Sequence, residues 1–202
     1  MLDAGGQYCH LIARRVRELG VYSEVKPSET PAAELMGRRA IIISGGPSSV
    51  YEAASPTMDP QVFSSGSAVL GICYGEQLMA QLLKGKVQKG VKGEYGRAAL
   101  DILKTDALFG DIASHQQVWM SHRDLVAAPP PGFAITATTP TCPVAAMADP
   151  ARRLYGVQFH PEVVHTPCGT ALLKNFIFGI AQCEKDWDPR QRLAAVEQEI
   201  RD

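Results

Sequence analysis

The chain has 202 residues, 46% of them hydrophobic, with 20 Lys plus Arg against 21 Asp plus Glu for a formal net charge of −1. That length holds one domain or a small pair with a sizeable core, and the balanced charge leaves no electrostatic footprint for nucleic acid. No run of roughly eighteen apolar residues and no basic leader with an apolar stretch occurs, so no membrane partner is expected. Five cysteines, odd in number and without a C-x-x-C pair, argue against a secreted disulfide framework and for a reducing cytoplasm.

Only Met1 and Leu2 precede Asp3, so the first strand is expected to be clipped or unusually short. A helix is predicted from Tyr8 to Leu19, with Leu11, Ile12, Val16 and Leu19 on its apolar stripe, Arg14, Arg15 and Arg17 on a solvated face, and Gly20 ending it. A strand over Val21–Val25 and a helix after Thr30-Pro31 follow. The β-branched run Ile41-Ile42-Ile43 suits a buried parallel strand over Ala40–Ile43. Another strand over Ala68–Ile72 runs into an amphipathic helix beginning near Gly75. From Val87 to Met147 the pattern turns to short strands, at Arg97–Leu103, Gln117–Met120, Phe133–Thr138 and Val144–Met147, broken by loops such as Ala127–Gly132. Leu154–Phe159 returns to the main sheet and Thr170–Ile180 closes as a helix. Asp188-Pro189 reads as an N-cap and first-turn proline of a connector helix over residues 188–202, which needs something to pack on. The expected fold is α/β, a mostly parallel open sheet flanked by helices with a β-rich excursion, residues 1–187 making one domain.

The chemistry starts in LGICYGEQLMAQLL, Leu70 to Leu83, where Gly71 and Gly75 stand two residues either side of Cys73. This is the G-x-nucleophile-x-G arrangement of a sharp strand-to-helix elbow. A thiol there sits at the positive end of the following helix, which favours thiolate. A lone cysteine is more often a small buried apolar residue, but YGVQFHPE lies downstream, with His160 placed 87 residues after Cys73. Its strand alternation ends at Pro161 and delivers His160 at the end of a core strand, where α/β enzymes carry catalytic groups. Glu162, two residues on, leaves on the same side if the chain stays extended and can orient the imidazole. Upstream, AIIISGGPSSVY from Ala40 to Tyr51 breaks at Ser44-Gly45-Gly46-Pro47, so the amide of Gly46 can join that of Tyr74 as an oxyanion hole. Gln77 is one helical turn past the nucleophile and on the same face.

Rival readings are weaker. A phosphate-holding S-G-G-x-D-S loop would need an aspartate where Ser48 stands. The zinc-deaminase signature would need a second cysteine at Ala171, and His160 and His165 are five apart rather than i, i+4. No metal is implied.

Together GICYGEQL, the downstream FHPE and the upstream SGGP resemble the class I (triad) glutamine amidotransferases, which cleave the side-chain amide of glutamine to glutamate and ammonia. The segments LDAGGQYCHLIARRVRELGVYSEV, SGGPSSVYE, GICYGEQLMA and VWMSHRD are similar to one branch of that family, the glutaminase domains of GMP synthases. The resemblance spans Leu2 to about Trp187. It implies Cys73 as nucleophile, His160 as base, Glu162 as its partner, and Gln77, Ser121 and Asp124 as residues that hold the substrate glutamine. Ser121 and Asp124 follow from the resemblance alone.

The resemblance also implies no cofactor in this domain and a partner ATP-pyrophosphatase synthetase domain, C-terminal or on another chain. That domain would use ATP and Mg to aminate xanthosine monophosphate to GMP. Its S-G-G-x-D-S loop is not in the sequence, so a fragment or separately encoded subunit is expected. One departure is Glu76, where an apolar residue such as methionine is usual; it is expected to be solvated or to face a partner domain. Competing readings are the glutaminase of anthranilate or carbamoyl phosphate synthesis, a γ-glutamyl hydrolase-like cysteine hydrolase, and a non-catalytic module on the same scaffold.

Overall fold

In the computed structural model, which describes residues 1–188, the chain runs β1 (Leu2–Asp3), α1 (Cys9–Glu18), β2 (Lys26–Pro27), a 3-10 turn (Ala32–Leu35), β3 (Ala40–Ile43), a second 3-10 turn (Pro60–Ser64), β4 (Ala68–Ile72) and α2 (Tyr74–Leu82). Then come β5 (Lys86–Ile102), β6 (His115–Ala128), β7 (Ala134–Thr138), β8 (Ala146–Asp149), β9 (Leu154–Val157) and α3 (Gly169–Lys174), which continues as a π-helical segment over Asn175–Ile180. The strands form one sheet in the order β2-β1-β3-β4-β9-β8-β7-β5-β6.

The centre follows from the apolar runs. β3, β4 and β9 pair in parallel, with Ile42 opposite Leu70 and Ile72 opposite Val157. Every residue of β4 and β9 is buried, as a parallel strand covered on both faces requires. Alternation splits their side chains between two cores: Ile42, Leu70, Ile72, Tyr155 and Val157 pack on one face with Ile12, Leu172 and Phe176. Ile41, Ile43 and Val69 pack on the other with Leu78 and Met79 of α2. A period of two in the strands thus sandwiches the sheet between α1 with α3 on one side and α2 on the other.

Several expectations change. β1 is short, as anticipated, and lies between β2 and β3. The strand expected over Val21–Val25 forms ladder only at Lys26–Pro27, because its partner β1 offers only Leu2 and Asp3. The helix expected after Thr30-Pro31 is a single 3-10 turn. In the middle region two of the expected short strands appear, as β7 and β8, but the other two lie within β5 and β6, which run for 17 and 14 residues. With most of β5 exposed on both faces and glycines at 90, 93 and 96, no apolar alternation reveals its length. That region is attached to the parallel core through β8, which pairs antiparallel with β9 and makes it the antiparallel half of the same sheet. Residues 189–202, which hold the body of the expected connector helix, lie outside the described residues. Among the described residues no helix is long and apolar enough to cross a membrane.

The arginines of α1 divide. Arg14 is exposed and pairs only with Glu18 on its own helix. Arg17 donates to the Ser23 carbonyl and lies over the Trp187 ring. Arg15 donates from Nε to the carbonyl of Glu162 at 3.0 Å. The solvated-face reading therefore holds for Arg14 alone.

Candidate active site

The elbow is built where β4 stops and α2 starts. Cys73 has φ 53° and ψ −106°, a conformation outside the ordinary wells that costs on the order of 1–3 kcal/mol and is retained where the surroundings enforce it. They do: the Cys73 amide donates to Val157 O at 2.8 Å and its carbonyl accepts from Gln77 N at 3.2 Å. A Cβ on Gly71 would lie 2.5 Å from Gly75 O, and one on Gly75 would lie 2.4 Å from Ile43 O. The two flanking glycines are thus required for strand and helix to approach this closely.

His160 follows β9 and is pinned through its backbone. Its amide donates to Trp119 O of β6 at 3.0 Å, and its carbonyl accepts from Thr166 Oγ1 at 2.7 Å. The Thr166 hydroxyl also accepts from Trp119 N. The imidazole Nδ1 lies 2.7 Å from Glu162 Oε1, and the edge of Tyr8 meets the ring at 5.4 Å between centroids. Residues 161 and 162 form a turn rather than extended chain, and Glu162 reaches Nδ1 from there. With Nδ1 occupied by the carboxylate, the other ring nitrogen is the one that serves the Cys73 sulfur, its second hydrogen-bond partner. Burial opposes charge on His160, but its bonds to Cys73 and Glu162 outweigh burial and push its pKa up to about 10. A side chain on Gly45 would come within 3.2 Å of His160 Cε1 and 3.6 Å of Cys73 Cβ.

Cys73 and His160 open on a cavity of about 850 Å³ that is also lined by Gly46, Gln77, Ser121 and Asp124. These are the side chains and the glycine singled out from sequence, and the fold brings them together. Tyr74, the other predicted oxyanion donor, stands at the head of α2 but is not among the residues lining that cavity; its ring is buried and its hydroxyl donates to Pro56 O. The Cys73 thiol donates to Ser121 O at 3.8 Å. Asp124 Oδ1 accepts from Tyr51 OH at 2.9 Å. Gln77 is held in place by two bonds from its amide nitrogen, to Asp124 O at 2.7 Å and to Gln158 Oε1 at 2.9 Å. Both its donors are therefore spent, and its carbonyl oxygen is the atom left to meet a ligand.

Glu76 is neither solvated nor at a surface. It is 0% exposed, and neither carboxylate oxygen has a hydrogen-bond partner. It packs against β9, where a Cβ on Gly156 would lie 2.7 Å from Glu76 Cγ. Burial pushes its pKa well above the usual carboxylate range, with the neighbouring Cys73 adding to the shift. Burial thus favours the protonated, uncharged form of this acid beneath the elbow. Among the described residues no group of three or more His, Cys, Asp or Glu side chains is placed to hold a metal ion.

The glutamine amidotransferase class-I family model matches residues 1–180. The chain belongs to that family. It is 53% identical over 189 residues to GMP synthase (glutamine-hydrolyzing) of Parafrankia sp. (strain EAN1pec), covering 93% of this chain and 35% of that protein. It is 50% identical over 203 residues to the protein of the same name from Syntrophomonas wolfei subsp. wolfei, covering 100% of this chain and 40% of that protein. The chain spans less than half the length of these curated relatives. A crystal structure from Thermoplasma acidophilum, described provisionally as that of a GMP synthase subunit, matches with a TM-score of 0.78 at 29% identity over 99% of this chain and 96% of that one. A glutamine amidotransferase from Thermotoga maritima shares the fold, with a TM-score of 0.65 at 22% identity over 98% and 89% of the two chains.

Sequence reasoning missed several supports of this class I amidotransferase site. Tyr51 stands inside SGGPSSVY, and a tyrosine at the end of a glycine-rich loop was a usable signal for a residue reaching over the cavity. Tyr8, Thr166 and Arg15 carried no such signal. Tyr8 and Arg15 act across long sequence separations, 147 residues between Arg15 and Glu162, and Thr166 joins His160 to the distant Trp119.

Proposed function

We propose that this amidotransferase is the glutaminase part of a GMP synthase, residues 1–187 forming the glutaminase domain. Cys73 attacks the side-chain amide of glutamine, and the ammonia released is used by an ATP-dependent synthetase region to aminate xanthosine monophosphate. The observation that carries the reading is one imidazole bonded to Glu162 and Cys73 at the floor of a cavity large enough for an amino acid.

The nucleophile is the Cys73 sulfur once its proton has passed to the His160 ring, which leaves thiolate beside imidazolium. As the thiolate adds to the amide carbon, negative charge grows on the amide oxygen. The main-chain amides of Gly46 and Tyr74 are the donors assigned to it, each worth about 2.7–4 kcal/mol in comparable sites. The imidazolium then protonates the departing ammonia and leaves a thioester on Cys73. The neutral ring takes a proton from water, hydroxide adds to the thioester, and glutamate departs as the thiolate and imidazolium are restored. Glu162 holds the ring in one tautomer and supports its charge throughout.

Charge apportions the binding roles. The Asp124 carboxylate suits the α-ammonium of glutamine, the Ser121 hydroxyl its α-carboxylate, and the free oxygen of Gln77 an N–H of the substrate. ATP and Mg belong to the synthetase region, which the curated relatives are long enough to include. A reducing cytoplasm suits a thiol nucleophile among five unpaired cysteines.

Reaction with 6-diazo-5-oxonorleucine, a glutamine-like electrophile, followed by peptide mapping tests the assignment. Label on Cys73, with loss of label and of ammonia release in Cys73→Ala, is expected. Near-normal glutamine hydrolysis by that variant overturns it. Addition of a GMP synthase synthetase domain with xanthosine monophosphate and ATP is expected to yield GMP and to raise glutamine turnover, whereas a preference for γ-glutamyl peptides would point to a different hydrolase.

A further inference from the structure

At the recognition wall, with His122 itself lining the cavity beside Asp124, lies a second buried histidine–carboxylate pair. His122 Nε2 is 3.1 Å from Glu94 Oε2, with side chains 4% and 15% exposed, and His122 Nδ1 is 2.9 Å from the Asp124 carbonyl. Both ring nitrogens thus face acceptor oxygens, one on the main chain and one on the Glu94 carboxylate. Glu94 is anchored in turn by Thr139 Oγ1 at 3.0 Å, and that hydroxyl accepts from Cys142 N at 3.0 Å. The pair thereby ties the β5–β6 hairpin to the connection between β7 and β8.

Its position in the ladder is what gives it a task. Between Lys89↔Asp124 and Glu94↔His122, β5 advances five residues while β6 advances two. Regular antiparallel pairing fixes each carbonyl with an opposing amide, and a bulge removes that support. Beside this slip the Asp124 carbonyl accepts from two side chains, His122 Nδ1 at 2.9 Å and Gln77 Nε2 at 2.7 Å. The direction in which Asp124 presents its carboxylate to the cavity thus depends in part on side chains outside the sheet ladder.

We propose that the His122–Glu94 pair is a positioning unit for substrate recognition: by clamping the Asp124 carbonyl where the β5–β6 ladder slips, it aims the Asp124 carboxylate at the α-ammonium of glutamine. The proposal rests on the role given to Asp124 above. His122 also lines the cavity, but its two ring nitrogens face Glu94 and the Asp124 carbonyl, so its loss weakens selection for the α-amino group and leaves the nucleophile intact.

The test compares glutamine with glutaramate, which carries the same amide and carboxylate but no α-ammonium, in the full chain and its His122→Asn, Glu94→Gln, Asp124→Asn and His122→Asn/Asp124→Asn variants. Iodoacetamide alkylation of Cys73 reports on the elbow, and Glu94→Gln, nearly isosteric, preserves the test should the histidine variant misfold. The expected result is about a tenfold rise in KM for glutamine in His122→Asn and Glu94→Gln with kcat within about twofold. Glutaramate kinetics and alkylation rates stay at wild-type values, and the double variant is no worse than Asp124→Asn. Equal losses on both substrates, additive losses in the double variant, or an unchanged KM in Glu94→Gln overturn the proposal. If Asp124→Asn itself keeps the full preference for glutamine, the underlying role of Asp124 fails and the proposal with it. If Asp124→Asn loses the preference while His122→Asn and Glu94→Gln keep it, only the proposal fails.

Discussion

The parallel and antiparallel halves of the sheet hold their functional groups by different means. In the parallel half, Cys73 and His160 stand just past the ends of β4 and β9, between strands whose side chains are all buried. Their backbones are fixed by main-chain bonds to Val157 and Trp119. In the antiparallel half, Asp124 stands at a register slip in a largely exposed hairpin and is held by the side chains of His122, Gln77 and Tyr51. A nucleophile must be rigid within fractions of an ångström, which close-packed strands supply. Recognition of a substrate's polar end can rest on bonds that are individually weaker and easier to change.

Variants of the two halves are expected to differ in kind. Cys73→Ala removes the nucleophile and is expected to lower glutamine hydrolysis by about 10⁴-fold or more, with thermal unfolding near wild type; ammonia release and calorimetry together check both parts. Glu162→Gln keeps the shape but removes the charge that supports the imidazolium, and kcat is expected to fall by about 10²–10⁴-fold.

The same change moves a pH limit. Because the folded His160 is raised to about 10 from 6.5, the stability its protonation contributes is complete below pH 6.5 and disappears as pH rises through about 10. Loss of Glu162 lowers the upper end of that window. The alkaline limit of the imidazolium, followed by NMR titration of His160, is therefore expected to shift to lower pH in Glu162→Gln, and an unmoved limit would break the assigned pairing.

Glu76→Met separates catalytic support from packing cost. A buried acid without partners costs about 1–3 kcal/mol, so the substitution is expected to stabilise the fold in urea unfolding. The sign with pH is specific: the folded pKa of Glu76 lies well above 4.5, so wild-type stability falls as pH rises past 4.5 and the advantage of the variant grows over that range. A pH-independent difference would show that burial does not favour the uncharged form of Glu76. The smallest effect is expected for Tyr51→Phe, which deletes one hydrogen bond to Asp124 worth about 0.5–1.5 kcal/mol. KM for glutamine should rise a few-fold with kcat unchanged, and a larger effect on kcat than on KM would move Tyr51 from recognition to chemistry.

The elbow was legible because its signals are local. Gly71, Cys73 and Gly75 lie within five residues, the β-branched run before Ser44 announces β3, and Pro161 ends the strand extension that delivers His160. The hairpin was not legible to its true length, since glycines and two-sided exposure erase the alternation that identifies a strand. Ser121 and Asp124 were reached through family resemblance rather than spacing, because a bulged antiparallel strand gives no periodic signal for which residue faces a cavity.

Glu76 and Arg15 mark the same boundary from the other side. Each reads as a surface charge on a helix, and each is used by the interior. Helical position says only which neighbours a side chain has at i±3 and i±4, whereas burial depends on what packs over that face. For Glu76 this is β9, and for Arg15 it is the turn carrying Glu162.

By itself, the sequence determined the strand-to-helix elbow and the parallel centre of the sheet, and it singled out the thiol, imidazole and carboxylate proposed to react, since short-range sterics and hydrophobic periodicity dictate where these stand. Only the tertiary structure decided that the β-rich region completes the same sheet, that Glu76 is sealed in with its uncharged form favoured, and that side chains from distant segments clamp Asp124. Those outcomes depend on which distant surfaces exclude water from one another, and desolvation is a property of the assembled interior rather than of any stretch of chain.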